Sequence, residues 1–386
     1  MSTIYIHWPF CLSKCYYCDF NSVAIEKRNC NAMRYLPLYK NVLNAFRKDF
    51  YKGESITSIY FGGGTPSLLP VEFVIQLLSY IQNTFNLSTD IEVTLEANPK
   101  TINRQKALGF RTAGINRLSI GVQSLIDTDL RMLGRIHSAY DALMCVYDMH
   151  SVFDNISIDL IYNRPGQKIN DWEVELNNAL ELPIQHVSLY ELIIENDTYM
   201  KRLINKGFLQ APSMDATFFE KTLKITKKHK FDMYEVSNFA KNSNYNSKLS
   251  NSITYSRHNL SYWNYEDYYG IGAGAHSRVH NTSGKKCAIS QIDDINAWCK
   301  WANAPTFNTE ELSNEDIYLE HLLMGLRTKF GVDYGNFDMQ TLRRHQFHKK
   351  VKFLSINNYA TNNDERLILT REGLQRMNLV LKYLTI

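Results

Sequence analysis

The chain has 386 residues, 44% hydrophobic and 21% charged, the composition of a soluble globular protein with room for a large domain and a smaller one. A formal net charge of +4 is too small to imply nucleic acid or membrane by itself, and no apolar run approaches the roughly 20 residues that span a bilayer. Seven cysteines is an odd count, and Cys30, Cys145, Cys287 and Cys299 show no paired spacing, which argues against a secreted disulfide framework and for a reducing cytoplasm; the amino terminus lacks the pattern of a signal peptide.

Six strand-like runs follow one another: TIYIHW (3–8), ITSIYF (56–61), IEVTLEA (91–97), NRLSIGV (116–122), NISIDLIY (155–162) and HVSLYELI (186–193). Segments with helical apolar spacing lie between them, among them LPLYKNVLNAFRKDF (36–50), PVEFVIQLLSYIQNTF (70–85) and DWEVELNNALEL (171–182). A repeated β-α unit predicts a parallel sheet with right-handed crossovers, and six units predict a partial, open (β/α)6 barrel. Function in such sheets sits at the carboxyl ends of the strands. There the sequence places Cys11, the stretch GGGTPS (62–67), Glu96 and Asn98, Gln123, and Asp159. Residues 196–305 are less regular. Beyond them, SNEDIYLEHLLMGLRT (313–328) opens with a capping-box pattern, Ser313 and Asp316. LILTREGLQRMNLVLKYL (367–384) reads as a short strand and a final helix, so residues 306–386 are expected to form a small helical, winged-helix-like domain.

CLSKCYYC places Cys11, Cys15 and Cys18 at spacings suited to a metal centre. Zinc needs a fourth ligand, with His7 and Cys30 as candidates; a [4Fe–4S] cube on three thiolates leaves one iron open to a small molecule. This stretch resembles the radical SAM signature. Together with YIHWPF, FGGGTPSLL, LEANP, SIGVQS, LGRIHS, SIDLIY and GIGAGAHS, it is similar to the oxygen-independent coproporphyrinogen III oxidase family. The resemblance implies one [4Fe–4S] cluster on the three cysteines and S-adenosylmethionine (SAM) as a cofactor ligating its open iron. It also implies SAM contacts at Tyr5, Tyr17, Gly63, Gly64, Thr65, Glu96, Gln123, Arg135 and Asp159. It divides the chain into a radical SAM core (1–235), a connecting segment (236–305) and a HemN-type C-terminal domain (306–386). NRPGQ (163–167) departs from the family's Gly-Leu-Pro-Gly; Arg164 is expected to add a charge near the barrel mouth, leaving less room for a second SAM.

Two features separate the branches of the family. The oxidases carry a further cysteine two residues after the triplet, where this chain has Phe20, so no coproporphyrinogen III oxidase activity is expected. RHNLSYWN (257–264) resembles the signature of a haem chaperone branch, which implies haem as a ligand, His258 as its imidazole donor and a haem-accepting protein as partner, a membrane-bound respiratory enzyme among the candidates. Tyr262 and Trp263 offer an aromatic wall, and haem is placed near the barrel mouth. The alternatives are the oxidase itself, by oxidative decarboxylation, and nucleic-acid binding through the basic run TLRRHQFHKKVK (341–352); the latter is set aside as a solvated face.

Overall fold

A computed structural model describes residues 1–25, 31–212, 216–241, 254–335, 337–363 and 366–386. The six expected strands form as β1 (Ser2–Trp8), β2 (Ile56–Gly63), β3 (Leu87–Ala97), β4 (Arg117–Gln123), β5 (Ile156–Tyr162) and β6 (His186–Glu191), all in parallel register. The connecting helices include α1 (Leu36–Asp49), α2 (Val71–Thr84), α3 (Arg104–Ala113), α4 (Asp127–Met132), α5 (Ala139–His150) and α6 (Ile169–Leu180). Local chemistry fixes their ends. Ser138 and Asp141 cap α5 reciprocally, and Gly114, at φ +112°, closes α3 in a left-handed turn.

The sheet extends beyond the six strands. β8 (Asn238–Lys241) joins antiparallel to β6, β7 (Phe231–Glu235) pairs antiparallel with β8 at the edge, and β9 (Asp267–Ile271) joins parallel to β1 on the other side. β10 (His276–His280), β11 (Lys286–Ser290) and β12 (Thr309–Glu311) complete a twelve-stranded sheet of order β12-β11-β10-β9-β1-β2-β3-β4-β5-β6-β8-β7. Residues 267–290, part of the stretch read as irregular, and Thr309–Glu311, expected in the C-terminal domain, are thus continuous with the barrel wall.

Alternation along the strands decides what the barrel contains. One set (Ile4, Ile6, Ile59, Phe61, Val93, Leu95, Leu118, Ile120, Ile156, Ile158, Val187 and Leu189) is buried beneath the helices in one apolar core. The other set faces inward and is polar: Tyr5, Ser58, Tyr60, Thr94, Glu96, Arg117, Ser119, Ser157, Asp159, His186 and Ser188. The concave face is a polar lumen. The C-terminal region has its own core, from Tyr318 to Leu384, around a helix (Asn314–Gly325) that carries the expected Ser313–Asp316 capping box. The predicted final helix is two, Arg371–Gln375 and Met377–Thr385. Glu320 of this region accepts from Tyr265 Oη at 2.6 Å and pairs with both Nε and Nη2 of Arg278, locking it to the sheet. Among the described residues no helix is long and apolar enough to cross a membrane.

Candidate functional site at the barrel mouth

The three cysteines lie on the loop that leaves β1, at the carboxyl end of the parallel strands. Cys18 N donates to Cys15 O at 3.2 Å, which makes the loop a tight turn. Neighbouring segments pin it: Tyr16 N donates to Leu133 O at 3.0 Å and Met200 N to Tyr16 O at 2.8 Å. Polar groups surround the sulfurs. Arg135 Nη1 lies 3.3 Å from Cys15 Sγ, Ser22 Oγ lies 3.8 Å from Cys18 Sγ, and the Thr65 and Ser22 hydroxyls bond to the Cys11 thiol. Burial pushes the Cys11 and Cys18 thiols up, so the loop favours thiolates only with a cation among them. Donors aimed at three sulfurs on one loop fit an iron–sulfur cluster. The zinc candidates do not join the triplet. His7 spends both ring nitrogens, Nδ1 on Tyr5 Oη at 3.2 Å and Nε2 on Asn21 O at 2.9 Å, and Cys30 lies outside the described residues. Among the described residues no three His, Cys, Asp or Glu side chains stand close enough to chelate a single ion.

The predicted SAM residues occupy neighbouring strand ends. Glu96 accepts from Tyr60 Oη at 2.8 Å and from Gly63 N at 3.2 Å, tying β3 to the glycine turn. Burial pushes its carboxyl up to about 7, opposed by the Tyr60 bond. Asp159, held by Ser119 at 3.3 Å and by Ser188, is likewise raised by burial. Arg135 donates to Gly121 O at 2.6 Å as well as to Cys15 and Tyr17, so its fork is engaged by the protein rather than open for a carboxylate. Gln123 ends β4 at φ +68°, a left-handed conformation uncommon for a residue with a side chain. The glycines are required by the chain itself. A Cβ at Gly63 would lie 2.7 Å from the His7 ring, and one at Gly64 2.8 Å from Phe10 O, so the turn admits the cluster strand rather than only a ligand. A cavity of about 690 Å³ opens beside the loop, lined by Lys14, Cys15, Tyr16, Cys18, Tyr199 and Arg202 among others, and has the volume of a small-molecule site.

HNLSYW lies elsewhere. It forms α7 (Arg257–Trp263), which leads into β9, where Asp267 stands opposite Ser2, the first residue of β1. Glu92, early in β3, accepts from the backbone of both Arg257 and His258 at 3.2 Å. The motif therefore closes the amino-terminal end of the barrel, opposite the mouth where haem was expected. His258 is 1% exposed, with Nδ1 on Ser58 Oγ and Nε2 on Tyr262 Oη, each at 2.9 Å, and burial lowers its pKa to about 3. Its imidazole is neutral, with both nitrogens engaged. The Tyr60 ring stacks on it at 4.9 Å while the Tyr60 hydroxyl reaches Glu96, so the motif is two contacts from the mouth.

Arg164 also departs from expectation. Its side chain is fully buried, paired with Glu175 Oε2 at 2.5 Å and Asp129 Oδ2 at 2.9 Å, and adds no free charge to the mouth. Sequence reasoning missed the lumen residues Tyr60, Arg117, Ser119 and Ser188. Arg117 makes no ion pair among the described residues, yet its charge favours ionisation of Glu96 and Asp159. The signal was present as polar residues at alternate positions over much of the strands.

A parallel open barrel with a three-cysteine loop at its mouth defines the radical SAM class, and the Radical SAM superfamily profile matches residues 5–178 while the HemN C-terminal domain matches residues 312–376. The chain is 32% identical to the haem chaperone HemW of Bacillus subtilis over 97% of this chain and 96% of that one, and 30% identical to HemW of Buchnera aphidicola over 98% and 97%. It is 33% identical to the mitochondrial radical S-adenosyl methionine domain-containing protein 1 of Danio rerio over 88% of this chain and 75% of that one. The solved structure of coproporphyrinogen III oxidase HemN from Escherichia coli shares the fold, with a TM-score of 0.81 at 19% identity over 100% of this chain and 90% of that one. The chain belongs to the HemW family of radical SAM proteins.

Proposed function

We propose that the chain is a haem chaperone, binding haem and passing it to an acceptor protein from a scaffold that carries one [4Fe–4S] cluster on Cys11, Cys15 and Cys18. The observation that carries the reading is the similarity to HemW proteins over nearly the whole chain, cluster loop and C-terminal domain included. Phe20 supports it. It follows the triplet where the oxidases have a further cysteine, and it is 60% exposed, a phenyl ring with no group to ligate or to transfer hydrogen. Such a cluster supplies an open iron and one-electron chemistry. The chain's own residues hold SAM around it: Glu96 and Asp159 accept hydrogen bonds from ribose hydroxyls or the ammonium, Gly63 and Gly64 leave the turn narrow, Gln123 presents its amide, and Tyr5, Tyr17, Thr65 and Arg135 frame the loop.

His258 is the residue on which haem binding depends. Ligation through Nε2 requires Tyr262 to release it, and the two are separable. In a haem titration of the anaerobically reconstituted protein, wild type and Tyr262→Phe should bind, and His258→Ala should lose stable binding. Equal binding by His258→Ala and wild type would make the histidine structural and place haem elsewhere. An anaerobic assay with SAM and reductant should yield no protoporphyrinogen IX from coproporphyrinogen III; turnover would favour the oxidase.

A further inference from the structure

The end of β4 is gripped residue by residue from other elements. Arg135 Nη2 holds Gly121 O at 2.6 Å, and His137 Nε2 holds Val122 O at 3.0 Å. Arg164 Nη1 reaches Gln123 O at 3.4 Å and Ile161 O at 3.0 Å. Glu175 Oε1, on α6, accepts from Ser124 Oγ at 2.6 Å and Leu125 N at 2.7 Å, and the same carboxylate pairs with Arg164. The β4–β5 ladder slips between Gly121 and Gln123, and Gln123 sits at φ +68°. A residue stays in a sparsely populated conformation only when its surroundings over-determine it. Here the surroundings are a fully buried ion pair whose two partners hold three consecutive residues, 123–125.

We propose that the Arg164–Glu175 pair, seconded by Asp129, is a positioning device that holds Gln123 left-handed and so aims its amide into the SAM site. The inference rests on the reading of Gln123 as a SAM contact. A buried ion pair is no stronger a support for the fold than well-packed apolar residues of similar volume. What apolar residues cannot do is donate to the Gln123 carbonyl while accepting from Ser124 and Leu125. The guanidinium can serve two carboxylates and two carbonyls at once because it is a planar fork; an ammonium cannot.

The test is a SAM titration of the reconstituted full chain, read from the perturbation of the cluster's electron paramagnetic resonance spectrum, with cluster content and circular dichroism measured alongside. The variants are Gln123→Ala, the apolar pair Arg164→Met with Glu175→Met, and the combination of all three. If the apolar pair does not fold, Arg164→Lys takes its place. Loss of one charge-assisted contact corresponds to about tenfold weaker SAM binding, and that is expected for the clamp variant at unchanged cluster content. Because the clamp acts through Gln123, the triple variant should bind no more weakly than Gln123→Ala alone. Additive losses, or wild-type affinity in the clamp variant beside a weakened Gln123→Ala, would overturn the inference and leave the SAM reading intact. Wild-type affinity in Gln123→Ala would remove both the role of Gln123 and the inference built on it.

Discussion

The two ends of the barrel are built on opposite principles. At the mouth, Gln123 and Gly63 sit at positive φ, thiols and carboxylates are pushed up by burial, and a cavity opens beside the loop. At the amino-terminal end, His258 has both nitrogens bonded, Glu92 meets two backbone donors, and Tyr262 packs edge-on against Tyr268 at 4.5 Å. Thiols and carboxylates raised by burial collect where a ligand is to be held; a hydrogen-bonded network around His258 sits where the fold is to be closed. The motif read for haem, HNLSYW, lies at the closed end, and its route to the mouth is the Tyr60 ring and hydroxyl.

Breaking the mouth should leave the fold and remove the cofactor. Replacing Cys11, Cys15 and Cys18 together by alanine should abolish the cluster, measured as iron and sulfide per chain, while circular dichroism stays near wild type; full cluster content in that variant would refute the assignment. Breaking the closed end should cost stability and leave the cluster in place. His258→Ala strands Ser58 and Tyr262 and leaves space under Tyr60, and should cost about 2–4 kcal/mol in denaturant unfolding. A loss below about 0.5 kcal/mol would show that the network contributes little.

Glu96→Gln should weaken the SAM-induced spectral change by about tenfold, since a carboxylate that accepts two donors becomes an amide. The Glu96 carboxyl also sets a pH dependence. Its folded pKa lies near 7, above the unfolded carboxylate value, so the folded state binds the proton more tightly. Stability is therefore expected to fall as pH rises from the unfolded carboxyl pKa to about 7 and to level off above it, whereas SAM binding to the ionised carboxylate should rise through the same window. Glu96→Gln should flatten the SAM-binding slope and reduce the stability slope, the remainder belonging to Glu235, whose carboxyl burial also pushes up to about 7; an unchanged SAM-binding profile would assign it to another group. The smallest effect belongs to Arg257→Ala. Its pair with Asp90, at 2.8 Å, leaves both side chains partly exposed, and removing it should cost no more than about 1 kcal/mol in urea unfolding.

Much of this architecture was legible in the sequence, and the failures have physical causes. The six parallel strands and their helices follow from local pattern, because each strand alternates and each helix has an apolar stripe. The capping box at Ser313 was visible for the same reason. β9 to β12 were not, because DYYGI, HSRVH, KCAIS and TEE are short runs that carry little hydrophobic period. Cysteine spacing pointed to the loop, since three ligands lie close in sequence. Arg164 was misplaced because burial of a charge depends on Glu175 and Asp129, contributed by other elements, which no local pattern reveals. The position of HNLSYW was missed for a related reason: α7 precedes a strand parallel to β1, and parallel pairing puts it at the amino-terminal end.

The central claim is transfer of haem. Wild-type protein, reconstituted anaerobically and loaded with one equivalent of haem, is mixed with a haem-free acceptor, and haem is followed in both proteins after separation. The account predicts that haem leaves the chain and appears in the acceptor, that His258→Ala cannot be loaded, and that no coproporphyrinogen III is converted in a parallel reaction. Failure of wild type to retain haem through separation, together with turnover of coproporphyrinogen III, would contradict it.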